Sequence, residues 1–367
     1  MKILVAGDWR SELHEAAIFG ALQQLGHQVE KFSWHQYFAP SKRESQLGFL
    51  LDLTNKKFQN KYLVGPILSR INDDLVEQTK RFRPDLLFIY RGTHITSVTL
   101  QRIKRQCPEC IIAGYNNDDP FATGHPRWLW RHFIDAVPCY DVIFAYRQHN
   151  IEEFRQIGAK RVQLLRSWYR PASNRPVELS PDDRVRFGCD VVFVGHFEAD
   201  ERTDYIEAIV RQGFNFRIFG PDHDWDRVTT RSPILQRFHP VKPVWGADYN
   251  KALCGAKIAL CFFSSLNRDT YTRRTFEIPA SGTLMLSQYS DDVAAMFKEG
   301  EEADFFRTKE ELLRKLTFYL TNDSVRHRVA AAGHWRVIAD NHDVVSRMQQ
   351  TLQYLGEQHR FGSRVVA

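Results

Sequence analysis

The chain has 367 residues, with 50 Lys and Arg against 44 Asp and Glu, so its formal net charge is +6. This length predicts about two domains. Hydrophobic residues make up 43% and charged residues 26%, which excludes a disordered, collagen-like or coiled-coil protein. No stretch approaches the ~18 consecutive apolar residues of a membrane span. Six scattered cysteines fit a reducing compartment, and we expect a cytoplasmic protein.

Apolar runs alternate with helical patterns along the whole chain, which predicts βαβ units and parallel sheets. In the first half, the predicted strands are 2–6, 29–34, 85–90, 110–115, 140–146 and 161–165. Helices are predicted at 13–25, where Gly26 can close the helix, and at 44–82 with a break near Gly65 and Pro66. In the second half, the predicted strands are 190–194, 214–219, 257–263 and 283–287, and the predicted helices are 200–212, 248–255, 272–281 and most of 308–357.

This pattern predicts an α/β chain with two Rossmann-like domains facing across a cleft, the GT-B arrangement, followed by C-terminal helices. The predicted bounds are 1–172 for the N-terminal domain, 173–188 for a linker, 189–341 for the C-terminal domain, and 342–367 for a helix that packs back on the N-terminal domain. A periplasmic-binding-protein-like or other two-lobed α/β protein is the alternative. In such folds, ligands bind at the carboxyl ends of the strands.

Several enzyme classes lack their sequence signals. No Gly-x-Gly-x-x-Gly follows a predicted strand, and there is no Walker lysine loop. A Gly-x-Ser-x-Gly elbow is also missing. These observations argue against a dinucleotide dehydrogenase, a P-loop enzyme and a serine hydrolase.

The segment 273–283 carries the most specific chemistry. Its Glu277 carboxylate can accept two hydrogen bonds from the vicinal diol of a ribose. Arg273 and Arg274, one turn earlier, can neutralise a diphosphate. The alternative interpretation is a solvated helix with an Arg–Glu pair.

The run Arg-Thr-Phe-Glu-Ile-Pro-Ala-Ser-Gly at 274–282 resembles the signature of the CgeB-like (spore maturation protein) group of GT-B glycosyltransferases. The Phe-Val-Gly-His run at 193–196 and the stretch 297–302 also resemble this family. The resemblance covers the C-terminal half almost throughout and the N-terminal half only loosely. It implies a glycosyltransferase that takes its sugar from a nucleotide sugar, with UDP the commonest nucleotide, and that needs no metal or other cofactor.

The resemblance also implies a nucleotide-sugar site in the C-terminal domain, formed by Gly195, Arg202, Pro240, Val241, Asp269, Arg273, Arg274 and Glu277. Glu277 would bind the ribose hydroxyls, and Gly195 with Arg202 would lie near the diphosphate. The backbone at Pro240 and Val241 would contact the base. Asp269 stands where related transferases have a glutamate that contacts the sugar.

The candidate catalytic residues are Asp118 and Asp119, which precede Pro120 after a predicted strand. A carboxylate there can take the proton of an acceptor hydroxyl in an inverting transferase. The alternative is an Asx turn ahead of proline. Asp8 and His94 follow other strands in the same way.

An Asp-x-Asp pair at Asp222 and Asp224 has the spacing of a cation site, but we expect a loop there and no metal site. The expected acceptor is a glycan, a protein or a small molecule, with nucleic acid less favoured. Two alternative functions stay open: a non-catalytic two-lobed protein that binds a nucleotide or sugar, and a glycosyltransferase that modifies nucleic acid.

Overall fold

The computed structural model describes residues 1–40 and 46–362, which form two compact units. The first unit runs from Met1 to Arg166 and includes the C-terminal segment from Val344 onwards. The second unit is Ser167–Asp343. Among the described helices, none is both long and apolar enough to cross a membrane.

The first unit is built on a six-stranded parallel sheet with the order β2-β1-β3-β4-β5-β6. Its strands are β1 Lys2–Gly7, β2 Gln28–Ser33, β3 Leu86–Tyr90, β4 Ile111–Asn116, β5 Val142–Ala145 and β6 Val162–Leu164. Its helices are α1 Glu15–Gln24, α2 Gln46–Tyr62, α3 Pro66–Phe82, α4 Ser97–Gln106, α5 Arg127–Ala136 and α6 Asn150–Gln156. Every residue of β3 and β4 is buried, because helices cover both faces of a parallel sheet.

The second unit holds a five-stranded parallel sheet with the order β11-β10-β9-β7-β8. Its strands are β7 Cys189–Val194, β8 Phe216–Phe219, β9 Ala256–Cys261, β10 Leu284–Gln288 and β11 Asp304–Phe306. Its helices are α7 Pro181–Phe187, α8 Arg202–Arg211, α9 Asp222–Thr229, α10 Gly246–Cys254, α11 Arg274–Ala280, α12 Asp291–Ala294, α13 Lys309–Thr321 and α14 Asp323–Ala339. The last helix of the chain, α15 Val344–Gly362, packs against α1 in the first unit.

The unit boundaries differ from the predicted ones. The division falls after Arg166 rather than after residue 172, and residues 173–188 belong to the second unit instead of forming a separate linker. This stretch contains α7, whose Phe187 is fully buried. The prolines that suggested a linker include Pro181, which begins this helix.

Two further elements differ from the prediction. The segment 222–226, expected to be a loop, lies in α9, whose first turn carries Asp222 and Asp224 and whose Trp225 is fully buried. Acidic side chains in a first turn complement the helix dipole. The three-residue strand β11 was not predicted.

Candidate functional site

Helix α11 places Glu277 at the centre of the candidate site in the second unit. The six residues from Thr275 to Ala280 are all buried, so the helix is held firmly by its surroundings. Gly282, with a φ of +77°, lets the chain turn from this helix into β10. The local sequence therefore fixes the position from which the Glu277 side chain projects.

The Glu277 carboxylate is 4% exposed, and its two oxygens have different surroundings. Oε2 accepts a hydrogen bond from the Tyr249 hydroxyl at 2.6 Å. Among the described residues, none donates a hydrogen bond to Oε1. Burial and the Glu277 charge raise the pKa of Tyr249 well above its ordinary value, so the phenol stays protonated and donates. One carboxylate oxygen is thus fixed, and the other is available to a ligand.

Arg274 lies beside this carboxylate with much of its hydrogen-bonding capacity unused. Its guanidinium carbon is 5.7 Å from the centre of the Phe193 ring, and Nη2 makes a long contact of 3.4 Å to the Phe262 carbonyl. Its Nε is buried without a hydrogen-bond partner among the described residues. A half-buried arginine with a buried, unused Nε donor is suited to binding an anion.

Gly195 makes room for this arginine at the carboxyl end of β7. A Cβ atom at this position would lie 3.1 Å from Arg274 Nη1 and 2.8 Å from the Phe193 ring. The Gly195 carbonyl accepts a hydrogen bond from Trp225 Nε1 at 2.9 Å, which anchors the strand end. The structure therefore brings Gly195, Arg274 and Glu277 into one site.

The other predicted donor-site residues are more dispersed. Arg273 and Asp269 are both half-buried, and Asp269 interacts electrostatically with Arg274. The Val241 side chain is 1% exposed and belongs to the hydrophobic core, while Pro240 is exposed. A contact between a base and residues 240–241 would therefore involve their backbone, and that role stays a prediction.

Arg202, which the resemblance places near the diphosphate, is engaged in contacts within the protein. Its side chain is 2% exposed and makes a bidentate pair with Asp200, with both N···O distances 2.7 Å. It also donates to the carbonyls of His196 at 2.7 Å and Phe263 at 3.1 Å. Because these contacts occupy the guanidinium, Arg202 stabilises the loop after β7 rather than presenting a charge to a ligand.

Replacing Asp200 by alanine should therefore destabilise the second unit. Among the described residues, the change leaves the buried Arg202 with Glu198, at 3.5 Å, as its remaining carboxylate partner. Breaking a buried pair costs about 3–5 kcal/mol. The free energy of unfolding, measured by chemical denaturation, should fall by that order. The matched control is Glu301→Ala, since Glu301 is 71% exposed and an exposed pair contributes about 0–1 kcal/mol. Equal losses for the two variants would contradict this role of Arg202.

In the first unit, Asp119 is not accessible as a base. It is fully buried, and its Oδ1 accepts hydrogen bonds from the Phe121 backbone at 3.0 Å and from Asn150 at 3.1 Å. The bond to Phe121, two residues ahead, is the Asx turn that the alternative interpretation predicted. These contacts give Asp119 a structural role, and a catalytic role for it stays a prediction.

Asp118 is the accessible carboxylate of the pair. Its side chain is 20% exposed and forms an ion pair with Arg91 at 2.6 Å. It follows Asn117 at the carboxyl end of β4, the edge at which ligands bind to parallel sheets. Asp118 thus stays the candidate base of the first unit.

The sequence analysis missed His14, which lies at the same edge of the first sheet. Its Nδ1 is 2.7 Å from the Tyr90 hydroxyl, and that hydroxyl donates to Asn117 Oδ1 at 2.8 Å. With the single tyrosine proton assigned to the bond with Asn117, a neutral His14 carries its hydrogen on Nδ1 and has its acceptor lone pair on Nε2. This is the tautomer of a general base. Position after the first strand was the only sequence signal for His14.

The two other candidates of this unit have structural surroundings. Asp8 pairs with Arg10 at 3.2 Å. His94 is 6% exposed and lies between Thr93 at 2.9 Å and Asn60 at 3.0 Å. Burial lowers the pKa of His94 to about 3, so the ring is neutral near pH 7.

The Asp-x-Asp pair is engaged by histidines. Asp224 contacts His196 at 2.6 Å and His223 at 3.2 Å. In the part of the chain that the structure describes, the one group of ligand atoms close enough to share an ion is Asp119, His149 and Glu153, within 4.8 Å of one another. Hydrogen bonds from Asn150 already occupy Asp119 and Glu153. The absence of a resident metal stays a prediction.

With this geometry in place, comparison with known proteins identifies the class of enzyme. Residues 202–353 match a family described as glycosyl transferase-like. The match confirms the sequence-based prediction of a glycosyltransferase and spans α8 to α15, including Arg274 and Glu277. No curated protein sequence matches the chain significantly.

Solved structures with two such domains are similar to the whole glycosyltransferase chain. Sucrose-phosphate synthase from Thermosynechococcus elongatus is 12% identical, with a TM-score of 0.69 over 98% of this chain and 99% of its own. HepE from Anabaena, in complex with UDP and glucose, is 13% identical, with a TM-score of 0.65 over 97% and 100%. The α,α-trehalose 6-phosphate synthase from Burkholderia multivorans is 11% identical, with a TM-score of 0.63 over 100% and 98%. These similarities confirm the predicted GT-B fold.

Proposed function

We propose that this glycosyltransferase transfers a sugar from a UDP-sugar to a hydroxyl group of a glycan, a protein or a small molecule. The observation that carries the proposal is the pairing of Glu277, whose Oε1 is open to a ligand, with the half-buried Arg274, whose Nε has no hydrogen-bond partner among the described residues. The UDP and UDP-glucose in the titles of the HepE structures support uridine as the base. The nine-residue run at 274–282 supports the CgeB-like subtype.

The donor site acts by charge and position. Glu277 accepts hydrogen bonds from the ribose hydroxyls, and Arg274 with Arg273 binds the diphosphate. When the bond between the sugar and the β-phosphate oxygen breaks, negative charge grows on the departing UDP. Fixed cations stabilise that charge more in the transition state than in the ground state.

The acceptor hydroxyl loses its proton as it attacks the anomeric carbon. If the configuration is inverted, a general base of the first unit takes this proton. The two candidates are Asp118 and His14, which lie at the carboxyl edge of the first sheet.

All six cysteines are free thiols, in keeping with the proposed cytoplasmic location.

Nucleotide binding tests the proposal. The purified protein is heated with UDP, UDP-sugars, GDP, ADP and TDP in turn, without added metal, and the unfolding temperature is recorded. A ligand at a hundred times its Kd stabilises the folded state by about 2.7 kcal/mol. Stabilisation by uridine nucleotides supports the site, and a flat response to all of them overturns it. Binding without UDP release in the presence of any acceptor would instead indicate a non-catalytic binding protein.

Removing divalent metal should leave turnover unchanged. The donor's diphosphate is neutralised by arginines in this proposal, and Asp222 and Asp224 lie on a helix where histidines contact Asp224. UDP release is measured in EDTA and again after adding Mg²⁺ or Mn²⁺. Strict dependence on either ion would contradict the metal-independent mechanism.

A steep salt dependence of acceptor binding would point to a nucleic-acid acceptor.

A further inference from the structure

We propose that Tyr249 is a positioning residue that orients the Glu277 carboxylate and thereby sets the requirement for the ribose hydroxyls of the donor. The inference rests on the proposed function of Glu277. Nothing in the sequence motifs singles out Tyr249, which lies 28 residues before its partner.

The contact between the two side chains is short and charge-assisted. The Tyr249 hydroxyl donates to Glu277 Oε2 at 2.6 Å, within the range of about 2.5–2.7 Å expected for an O–H donor and a carboxylate. The last torsion angle of a glutamate side chain has a broad, roughly two-fold distribution. The bond to Tyr249 therefore selects one orientation of the carboxylate, with Oε1 turned to the open side.

A second hydrogen bond fixes the helices that carry the pair. Asn250, next to Tyr249 on α10, accepts a hydrogen bond from the Ser281 hydroxyl at 2.8 Å and donates to the Arg175 carbonyl at 2.7 Å. Ser281 lies four residues, about one helical turn, after Glu277. Two consecutive residues of α10 thus hold Glu277 on α11 and Ser281 directly after its end, which fixes the position of one helix along the other.

Tyr249 also affects how the Glu277 carboxylate interacts with nearby positive charges. Arg274 and Arg273 lie close enough to interact with the Tyr249–Glu277 pair. Without the phenol, the Glu277 carboxylate is free to rotate towards these cations and pair with them. Such a pair would neutralise the diphosphate site and remove the acceptor for the ribose at the same time. Tyr249 keeps the anion and the cations apart, so each can bind its own part of the donor.

The test is the selectivity for ribose hydroxyls in Tyr249→Phe. This change removes the hydroxyl and keeps the ring. The Kd values of UDP and of 2′,3′-dideoxy-UDP are measured by calorimetry, and their ratio reports the contribution of the hydroxyls. We expect the ratio to fall about tenfold or more, the size of one hydrogen bond to a charged group, because dideoxy-UDP has no ribose hydroxyls to lose and is weakened less than UDP. Tyr289→Phe is the matched control, because Tyr289 is 37% exposed and donates to Asp291 at 2.9 Å.

Each outcome decides the question. An unchanged ratio in Tyr249→Phe overturns the positioning role, and so does an equal loss of affinity for both nucleotides, which would indicate a general structural defect. Glu277→Ala separates this inference from the proposed function. If that variant keeps the ribose preference of the wild type, the proposed role of Glu277 fails. If it loses the preference and Tyr249→Phe keeps it, only the role of Tyr249 fails.

Discussion

Substituting Glu277 by alanine should weaken the binding of UDP and UDP-sugars about 100-fold to 10,000-fold. Two hydrogen bonds from ribose hydroxyls to a charged acceptor are lost, each worth about 1.5–3 kcal/mol, and every 1.4 kcal/mol is about a factor of ten in Kd. Because the carboxylate is 4% exposed and bonded to Tyr249, no other described acid replaces it at that position. Titration calorimetry with UDP measures the effect.

Two further variants make the result specific. Glu277→Gln keeps a hydrogen-bond acceptor of the same shape and should lose less affinity than Glu277→Ala, since the charge contributes about half of such a bond's strength. Glu301→Ala changes a carboxylate that is 71% exposed in the same unit and should bind as the wild type does. A Kd for Glu277→Ala within threefold of the wild-type value would remove the basis of the proposed donor site.

Arg274→Met should produce a loss confined to the phosphates. Methionine keeps the apolar stem against Phe193 and removes the cation whose Nε is buried without a partner. We expect the affinity for UDP to fall about 10-fold to 150-fold, the size of a hydrogen bond to a charged group, while the affinity for uridine is unchanged. The kcat should also fall, because the negative charge on UDP grows as the sugar departs.

The comparison of UDP with uridine in one variant separates charge from folding. Arg211→Met is the surface control, because Arg211 is 63% exposed and pairs with Glu207 on its own helix. It should leave both Kd values and the kcat unchanged. An equal loss of affinity for uridine and UDP in Arg274→Met would place Arg274 away from the phosphates.

The sequence predicted most of the two sheets because buried parallel strands are nearly continuous apolar runs. β1 and β3 each differ from the predicted bounds by one residue at one end, β1 at its carboxyl end and β3 at its amino end. β11 escaped prediction because it has only three residues and begins with Asp304. That aspartate accepts a hydrogen bond from Tyr319 at 2.6 Å and pairs with Lys315 at 2.7 Å. The strand tolerates this carboxylate because side chains of α13 contact it. The local sequence has no pattern that would predict a strand there.

The candidate site could be predicted only where local sequence carries the information. Glu277 and Arg274 lie in one short motif, and the structure places them together with Gly195. Arg202 is an arginine like Arg274 and also follows a strand. It nevertheless forms an ion pair within the protein, with Asp200 two residues before it. Tyr249 and His14 depend on partners 28 and 76 residues away. No spacing rule of a single sequence reveals contacts over such distances.

The chain enters and leaves the second unit at adjacent points. Near its start, the Tyr169 backbone amide donates to the His342 carbonyl at 3.2 Å, and Tyr169 forms an isolated bridge with Asp343 at the end of the unit. In the order of the chain, the second unit is thus an insert between β6 and α15 of the first unit, which acts as its host. Backbone contacts hold the two ends of the insert together. Such an arrangement favours exchange of the whole insert between related proteins, because the host chain needs only a short connection to close. Under the proposed function, donor preference changes when this one contiguous segment is transplanted, and the host that carries the candidate base is left intact.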